Sequence, residues 1–574
     1  MSGRFRTLAL VTLALVATAA LWQHPGFLSG GYDFRYFESA MEAARRNIAW
    51  FHQAPLYDPW MCGGEAQLAN PQSIAGSPAF LLVVLFGTAV GTKLMMVLFI
   101  ALGLDGMYRL ARQSGLGGEA SLASALTFGL SGWVVAHFAI GHVSFFGATL
   151  LPYLVCFYRR GLDDLRWAVA AGAVAALIVL TGGTSTAVMA AVCLAAIIVV
   201  DVVTLKTARP LGVAVTAGVC ALAFGAYRIL PALEFAIDHP RHTVETDRFG
   251  LVSLLRAAVS LDVAGKLPGQ RYALHEYVWR LPLLAWPLIV LGGIALWKRT
   301  LPTQRLDLTV LLVALVGVGV AMGDALPYGP WWVMRHVPVL RDLRAPSRYV
   351  LLVALALSLL AGAGVEALRE RISGRSIVLV VLGLLALDGV VFANRAFTGV
   401  FMLPAPPISH ASFQQVQGHW SQMLPLVYAN RGDVGCDEEA PLTRAKALEL
   451  GDVPQARLED PSAGRVDRIE WTPNGYTVTL TTTRPTTLLL DMNWSEHFHA
   501  SVGSVKRWGD KWPADKDGGR LAVELPPTAG TVTVRYLPRT FVLGCIVTLL
   551  AALSTLFLAR RARPRKGDAT RTIG

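Results

Sequence analysis

Apolar runs of membrane-spanning length recur along most of this chain, and they leave little choice of architecture. A helix of roughly 17 to 22 apolar residues is long enough to cross a bilayer core. Such runs fall near 7–22, 91–110, 120–139, 143–159, 166–182, 184–204, 210–230, 280–297, 306–322, 349–366, 376–393 and 540–559. With 54% hydrophobic and 16% charged residues over 574 positions, they exceed what one soluble core would bury. The expectation is a polytopic α-helical membrane protein with about twelve transmembrane helices.

The formal charge of +12 would suggest nucleic acid in a soluble protein. Here Lys and Arg cluster in short loops and at both chain ends, so the charge reads as topology. A further run, Ser77 to Gly87, is too short to cross comfortably. Counting it as a span would place Arg109 and Arg112 outside and invert every later loop, so it is read as re-entrant or interfacial. The clusters Arg4/Arg6, Arg109/Arg112, Arg159/Arg160/Arg166, Lys206/Arg209, Lys298/Arg299/Arg305, Arg369/Arg371/Arg375 and Arg560 to Lys566 then all face the cytoplasm. Both termini lie inside, and segments 23–90, 231–279, 323–348 and 394–539 share the outer face. Met1 to Trp22, with Ala17-Thr18-Ala19, resembles a signal peptide. It is read as an uncleaved anchor, because cleavage would free the segment that fixes Asp33 near the bilayer and would upset the charge parity.

Three parts follow: a transmembrane module over 1–393 with a first outer loop at 23–90, an outer domain at 394–539, and a last span with a basic tail at 540–574. Alternating β-branched stretches at Tyr476–Leu480, Thr487–Asp491, Leu521–Leu525 and Thr531–Tyr536, separated by Pro, Gly and Asn turns, predict a β-sandwich over 465–538. Residues 394–464 are mixed and polar and take no assignment. Four of the six cysteines lie in apolar runs. Only Cys62 and Cys436 fall where they could meet outside, and the expectation is that they do not pair.

The candidate chemistry gathers in the outer segments. Asp33 stands just beyond the first span. After it Phe34, Phe37, Met41, Ala44, Ile48 and Phe51 recur at spacings of three and four, which predicts an amphipathic helix on the membrane surface. An acid opening such a helix can present a base to a substrate whose head is anchored in lipid. Asp58 and Glu65 are further acids in a loop dense in Pro, Gly and aromatics. Arg341, Arg344 and Arg348, punctuated by Pro346, can fork a phosphate or pyrophosphate, and Arg241 with His242 offers a second basic contact. His142 lies at an outer tip, and Glu234 and the Tyr272/His275/Glu276/Tyr277 group also face outward as candidates for a polar acceptor site. Asp105 is expected to pair with Arg109. Asp388, near a span end, has no assigned role. There is no Gly-rich phosphate loop, no HExxH and no nucleophile elbow, so a transferase here needs a donor already activated on a lipid.

These residues resemble the YfhO-like bacterial membrane proteins, within the class C (GT-C) glycosyltransferase superfamily. The resemblance rests on Gly31-Tyr-Asp33, Asn70-Pro-Gln72 with Pro78, Gly141-His142, Leu230-Pro231-Ala-Leu-Glu234 and Val337 to Arg348. A β domain closed by Tyr536-Leu-Pro-Arg-Thr-Phe541 completes it. The segment Asp491 to His499 departs from the family pattern, which leaves a lid or an envelope contact beside sugar binding as roles for that domain. The resemblance implies transfer of a sugar from a polyprenyl-phosphate donor to a cell-envelope glycan or lipid at the outer face of a bacterial cytoplasmic membrane. It makes Asp33 the general base, with the arginines on the donor phosphate and Asp58, Glu65, His142 and Glu234 toward the acceptor. No metal or other cofactor is required by that scheme; a divalent ion, which some relatives in the class bind, would draw on Asp58 or Glu65. Two other readings remain beside it: a flippase or transporter of lipid-linked glycans, and a non-catalytic envelope scaffold.

Overall fold

The computed structural model describes residues 3–239, 247–298, 304–337, 340, 343–371, 375–419, 422–435, 448–509 and 519–561. Among them six helices are long and apolar enough to cross a membrane, or seven if the bent pair Arg209–Phe224 and Ala226–Asp238 counts as one span. Shorter apolar helices at Arg166–Leu180, Ala285–Trp297 and Leu308–Ala321 pack among them. This is an α-helical membrane protein with a β-rich C-terminal region.

Several spans are interrupted where the sequence demands it. The run Ser77–Gly87 and the run after it form one path, Pro78–Gln113, broken at Gly87. Gly87 has φ 78°, a conformation L side chains rarely adopt, so the chain turns at the residue with no Cβ. The stretch expected to span at 143–159 is a 3-10 segment, Val143–Leu150, followed by an eleven-residue helix, Leu151–Gly161. Two acids near the span ends are paired. Asp105 takes Arg109 at 2.5 Å and Arg6 at 3.3 Å. Asp388 takes Arg280 at 2.6 Å and the Leu283 N–H at 2.7 Å, which explains that acid.

The amphipathic helix of the first loop runs Tyr32–Ala49, and it corrects the surface reading. Its apolar stripe is buried, with Phe34, Phe37, Met41 and Ala44 at 6% exposure or less, but so are Glu38, Glu42, Arg46 and Asn47 on the other faces. Protein groups take the place of water and lipid head groups. Glu42 accepts from Arg45 at 2.7 Å and from the Thr88 hydroxyl at 2.8 Å, while Arg46 donates to the Tyr428 carbonyl at 3.3 Å. The cover comes from the segment left unassigned above. It carries the helix Met423–Tyr428, and its strand Leu403–Pro404 pairs with Phe27–Leu28.

The C-terminal strands form two four-stranded sheets. In order across the first are Ser504–Trp508, Arg520–Leu525, Thr486–Asn493 and Ala456–Leu458. The second holds Phe498–Ala500, Ala529–Tyr536, Gly475–Thr482 and Gly464–Thr472. Alternate residues such as Val478, Leu480, Leu488, Leu490, Val532 and Val534 fill the space between them, all fully buried. That core also takes Leu56, Tyr57 and Leu68 from the first loop. The seam carries polar bonds too: Tyr57 Oη donates to the Asn493 carbonyl at 3.1 Å, and Asn493 Nδ2 donates to Cys62 O and Gly64 O at 2.7 and 3.0 Å. The first loop is thus built into the sandwich. Cys62 is disulfide-bonded, against expectation, whereas Cys156, Cys193, Cys220 and Cys545 are free. The loop is folded against the C-terminal region, so a thiol distant in sequence can reach it. Cys436 lies outside the described residues.

Candidate active site

Asp33 occupies the first turn of the Tyr32–Ala49 helix, where the unpaired amides and the helix dipole favour an anion. A second element delivers its partner. The helix Gly132–Ile140 ends at Gly141 in a left-handed turn, φ 102°, and a Cβ there would meet the Phe34 ring at 2.6 Å. Only glycine permits both the turn and this approach. His142 follows at once, its N–H bonded to the His137 carbonyl at 2.9 Å, and its Nε2 sits 2.7 Å from Asp33 Oδ2. On its other side His142 Nδ1 lies 2.7 Å from His137 Nδ1.

The 3-10 turn Leu274–Glu276 adds His275 and Glu276. The His275 ring packs edge-on to His142, and Glu276 Oε1 lies 4.0 Å from His142 Nε2. Glu276 is gripped by Arg348, whose Nε donates to Oε2 at 2.7 Å while Nη2 donates to Oε1. The Arg348 guanidinium also lies over the Phe145 ring. Burial would push the Asp33 carboxyl up, but the hydrogen bond from His142 holds it below its ordinary value. Glu276 behaves similarly: burial is outweighed by the Arg348 guanidinium, and its carboxyl lies well below the usual range. His275 is pushed down to about 4 by burial and then by His142. The site therefore holds ionised carboxylates beside a neutral His275. Asp33 keeps a side chain 27% exposed, and its Oδ1 has no hydrogen-bond partner among the described residues.

The expected site residues divide into three places. Asp33, His142 and Arg348 come together. Arg344 is part-exposed in the coil four residues before Arg348, and Arg348 itself is engaged with Glu276. Arg341 and Arg241 lie outside the described residues. Asp58 and Glu65 face each other across the short ladder Tyr57–Asp58 with Glu65–Ala66. They line a cleft with Tyr36, Phe37, Gln67 and Asn70, against the helix that begins at Asp33. Burial raises the Asp58 carboxyl to about 7. Glu65 also borders a larger cleft, with about 660 Å³ of atom-free space, between the bent helix and the sandwich. Glu234, Asp238, Trp494, Glu496 and His497 line it.

Among the described residues three groups place ligand atoms within 4.8 Å of one another: Asp33, His142 and His275; His137, His142 and Glu276; and, in the larger cleft, Glu234, Glu496 and His497. Mixed imidazole and carboxylate donors suit a zinc- or manganese-like ion rather than calcium. His137 was missed by the sequence reading. Its signal was an ionisable side chain inside an apolar run, five residues before His142.

No protein-family model matches the chain, and no curated protein matches it. Among solved structures it is similar to the arabinofuranosyltransferase AftD from Mycobacteria, with TM-score 0.50 and 16% identity over 77% of this chain and 32% of that one. This chain shares the fold of the part of AftD that it matches. It spans about a third of the length of AftD. Weaker likenesses are to ArnT from Cupriavidus metallidurans (TM-score 0.46, 14% identity, 76% of this chain and 87% of that one) and to AglB from Archaeoglobus fulgidus. The latter, an archaeal oligosaccharyltransferase, was solved with an inhibitory peptide and a dolichol-phosphate (TM-score 0.36, 14% identity, 76% of this chain and 65% of that one).

Proposed function

We propose that this chain is a YfhO-like glycosyltransferase of a bacterial inner membrane, moving a sugar from a polyprenyl-phosphate donor to a cell-envelope glycan or lipid on the extracytoplasmic face. The observation that carries the reading is the Asp33 carboxylate, part-exposed at a helix start and held by His142 through one oxygen. The other oxygen takes the proton of an acceptor hydroxyl as that hydroxyl's oxygen attacks the anomeric carbon. The bond from that carbon to the phosphate oxygen breaks, and the electron pair leaves with the lipid phosphate. Arg344, Arg341 and Arg241 steady the charge on that phosphate, and Arg348 joins them by exchanging Glu276 for it. A single displacement inverts the anomeric centre.

Asp58, Glu65 and Glu234 contact the acceptor from the two clefts beside the entry helix, and His142 reaches it from beside Asp33. Twelve spans with both termini cytoplasmic put these groups on the outer side, with 1–393 as the transmembrane module, 394–539 as the outer domain and 540–574 as the last span and tail.

One observation favours a flippase as the second reading: the 87° bend between Arg209–Phe224 and Ala226–Asp238, since broken helices mark substrate sites in transporters. Right-side-out and inverted vesicles carrying labelled polyprenyl-phosphate sugars separate the two. Transfer at the outer face that collapses in Asp33→Asn, at equal protein level, supports the enzyme and its base. Movement of labelled lipid between leaflets without transfer supports the flippase, and equal transfer by both proteins removes Asp33 from the role.

A further inference from the structure

We infer that His137 is a positioning residue: through Nδ1 it fixes the tautomer of His142, so that the Nε2–H of His142 holds Asp33 by one oxygen and leaves the other for substrate. This rests on the reading of Asp33 as the base.

The two Nδ1 atoms are 2.7 Å apart, so one carries a hydrogen and the other accepts it. If His142 donated there as a neutral ring, its Nε2 would present a lone pair to a carboxylate oxygen 2.7 Å away, and two acceptors would oppose each other. If His137 donates, His142 carries its hydrogen on Nε2 and donates to Asp33. Both contacts are then hydrogen bonds.

The far side of His137 agrees. Its Nε2 is buried and has no hydrogen-bond partner among the described residues. As an Nδ1–H tautomer His137 leaves only a lone pair there, whereas the other tautomer would strand an N–H in the protein interior, the rarer and costlier arrangement.

The surroundings hold His137 in place. It is fully buried on the helix Gly132–Ile140, with the Trp133 ring 4.4 Å and the Phe145 ring 4.9 Å from its own by centroid. Trp133 in turn donates Nε1–H to the Arg348 carbonyl at 2.9 Å. The His137 carbonyl accepts the His142 N–H, so backbone and side chain of one residue orient the other. A site so apolar would suit a phenylalanine equally well for packing alone.

That contrast supplies the test. His137→Phe fills the site without a polar atom, and His137→Asn places an amide near the Nδ1 position. Full-length native and variant proteins are compared with the labelled polyprenyl-phosphate sugar that serves the native chain. The expected result is a fall in kcat of about 10- to 100-fold in His137→Phe with KM little changed, and kcat within about threefold of native in His137→Asn. A packing role predicts the reverse order, and that order, or two variants equal to native, overturns the inference. A structure of His137→Phe reads the same claim without activity. The His142 ring is expected to turn and Nε2 to leave Asp33; persistence of the 2.7 Å contact overturns the inference whether or not any sugar is transferred. An inactive native chain with the turned ring counts against the glycosyltransferase reading and supports the positioning.

Discussion

Arg348 and Glu276 meet fork to fork, with two parallel hydrogen bonds and side chains only 18% and 7% exposed. A buried pair of this kind stabilises little over an apolar pair of the same shape, but loss of one partner leaves a bare charge in the protein. Glu276→Ala is therefore expected to cost about 3 kcal/mol. Glu276→Gln costs less, since the amide oxygen still accepts one N–H. The double variant with Arg348→Met regains much of the loss. Thermal melts of the four proteins in one detergent check this, and a double variant that melts below both singles would contradict it.

His275 predicts how the site responds to acid. Its folded value is about 4, against about 6.5 for an unperturbed histidine, so between these values the unfolded chain binds the extra proton. Stability on this account is complete above pH 6.5 and falls as the pH drops to 4, by on the order of 3 kcal/mol. Asp33 and Glu276, both held below their ordinary values, extend the loss to lower pH. His275→Gln is expected to flatten the upper part of this curve, as measured by melting temperature from pH 7.5 to 4.5.

The legible parts of this molecule were those set by short-range pattern. The strands Tyr476–Leu480 and Thr531–Tyr536 alternate in sequence and alternate in the sheet, because a half-buried strand has period two. Asp33 and His142 were singled out separately, but their contact depends on the left-handed turn at Gly141 and on helices meeting across the bundle. The helix after Asp33 was found at the right place and given the wrong surroundings. An amphipathic pattern shows which faces differ in polarity, and it does not distinguish a lipid head group from the Tyr428 carbonyl as the partner of Arg46. The arginines of 341–348 looked like a free phosphate fork for a similar reason, since Glu276 lies 72 residues away from Arg348 in the chain.

The disulfide at Cys62 anchors a loop that also shares the core of the sandwich. A disulfide typically contributes about 2 to 4 kcal/mol. Cys62→Ser, or reduction of the native protein, is expected to lower the melting temperature and to speed proteolysis in the first loop. Equal melting temperatures with and without reductant would show that the packing of Leu56, Tyr57 and Leu68 holds the loop unaided.

Asp58 supplies the opposite pH dependence. Its carboxyl is fully buried, and desolvation raises it to about 7 in spite of backbone hydrogen bonds from Trp60 and Met61. The unfolded value is near 3.8, so from about pH 4 to 7 the folded chain holds the extra proton and stability falls as the pH rises. Above pH 7 the folded protein carries a buried carboxylate at a cost on the order of 4 kcal/mol. Asp58→Asn removes that charge and keeps an oxygen for the Trp60 N–H, now 2.9 Å from Oδ1. The variant is expected to melt well above the native protein at pH 8 and close to it at pH 5. A difference equal at the two pH values would mean that Asp58 is ionised throughout.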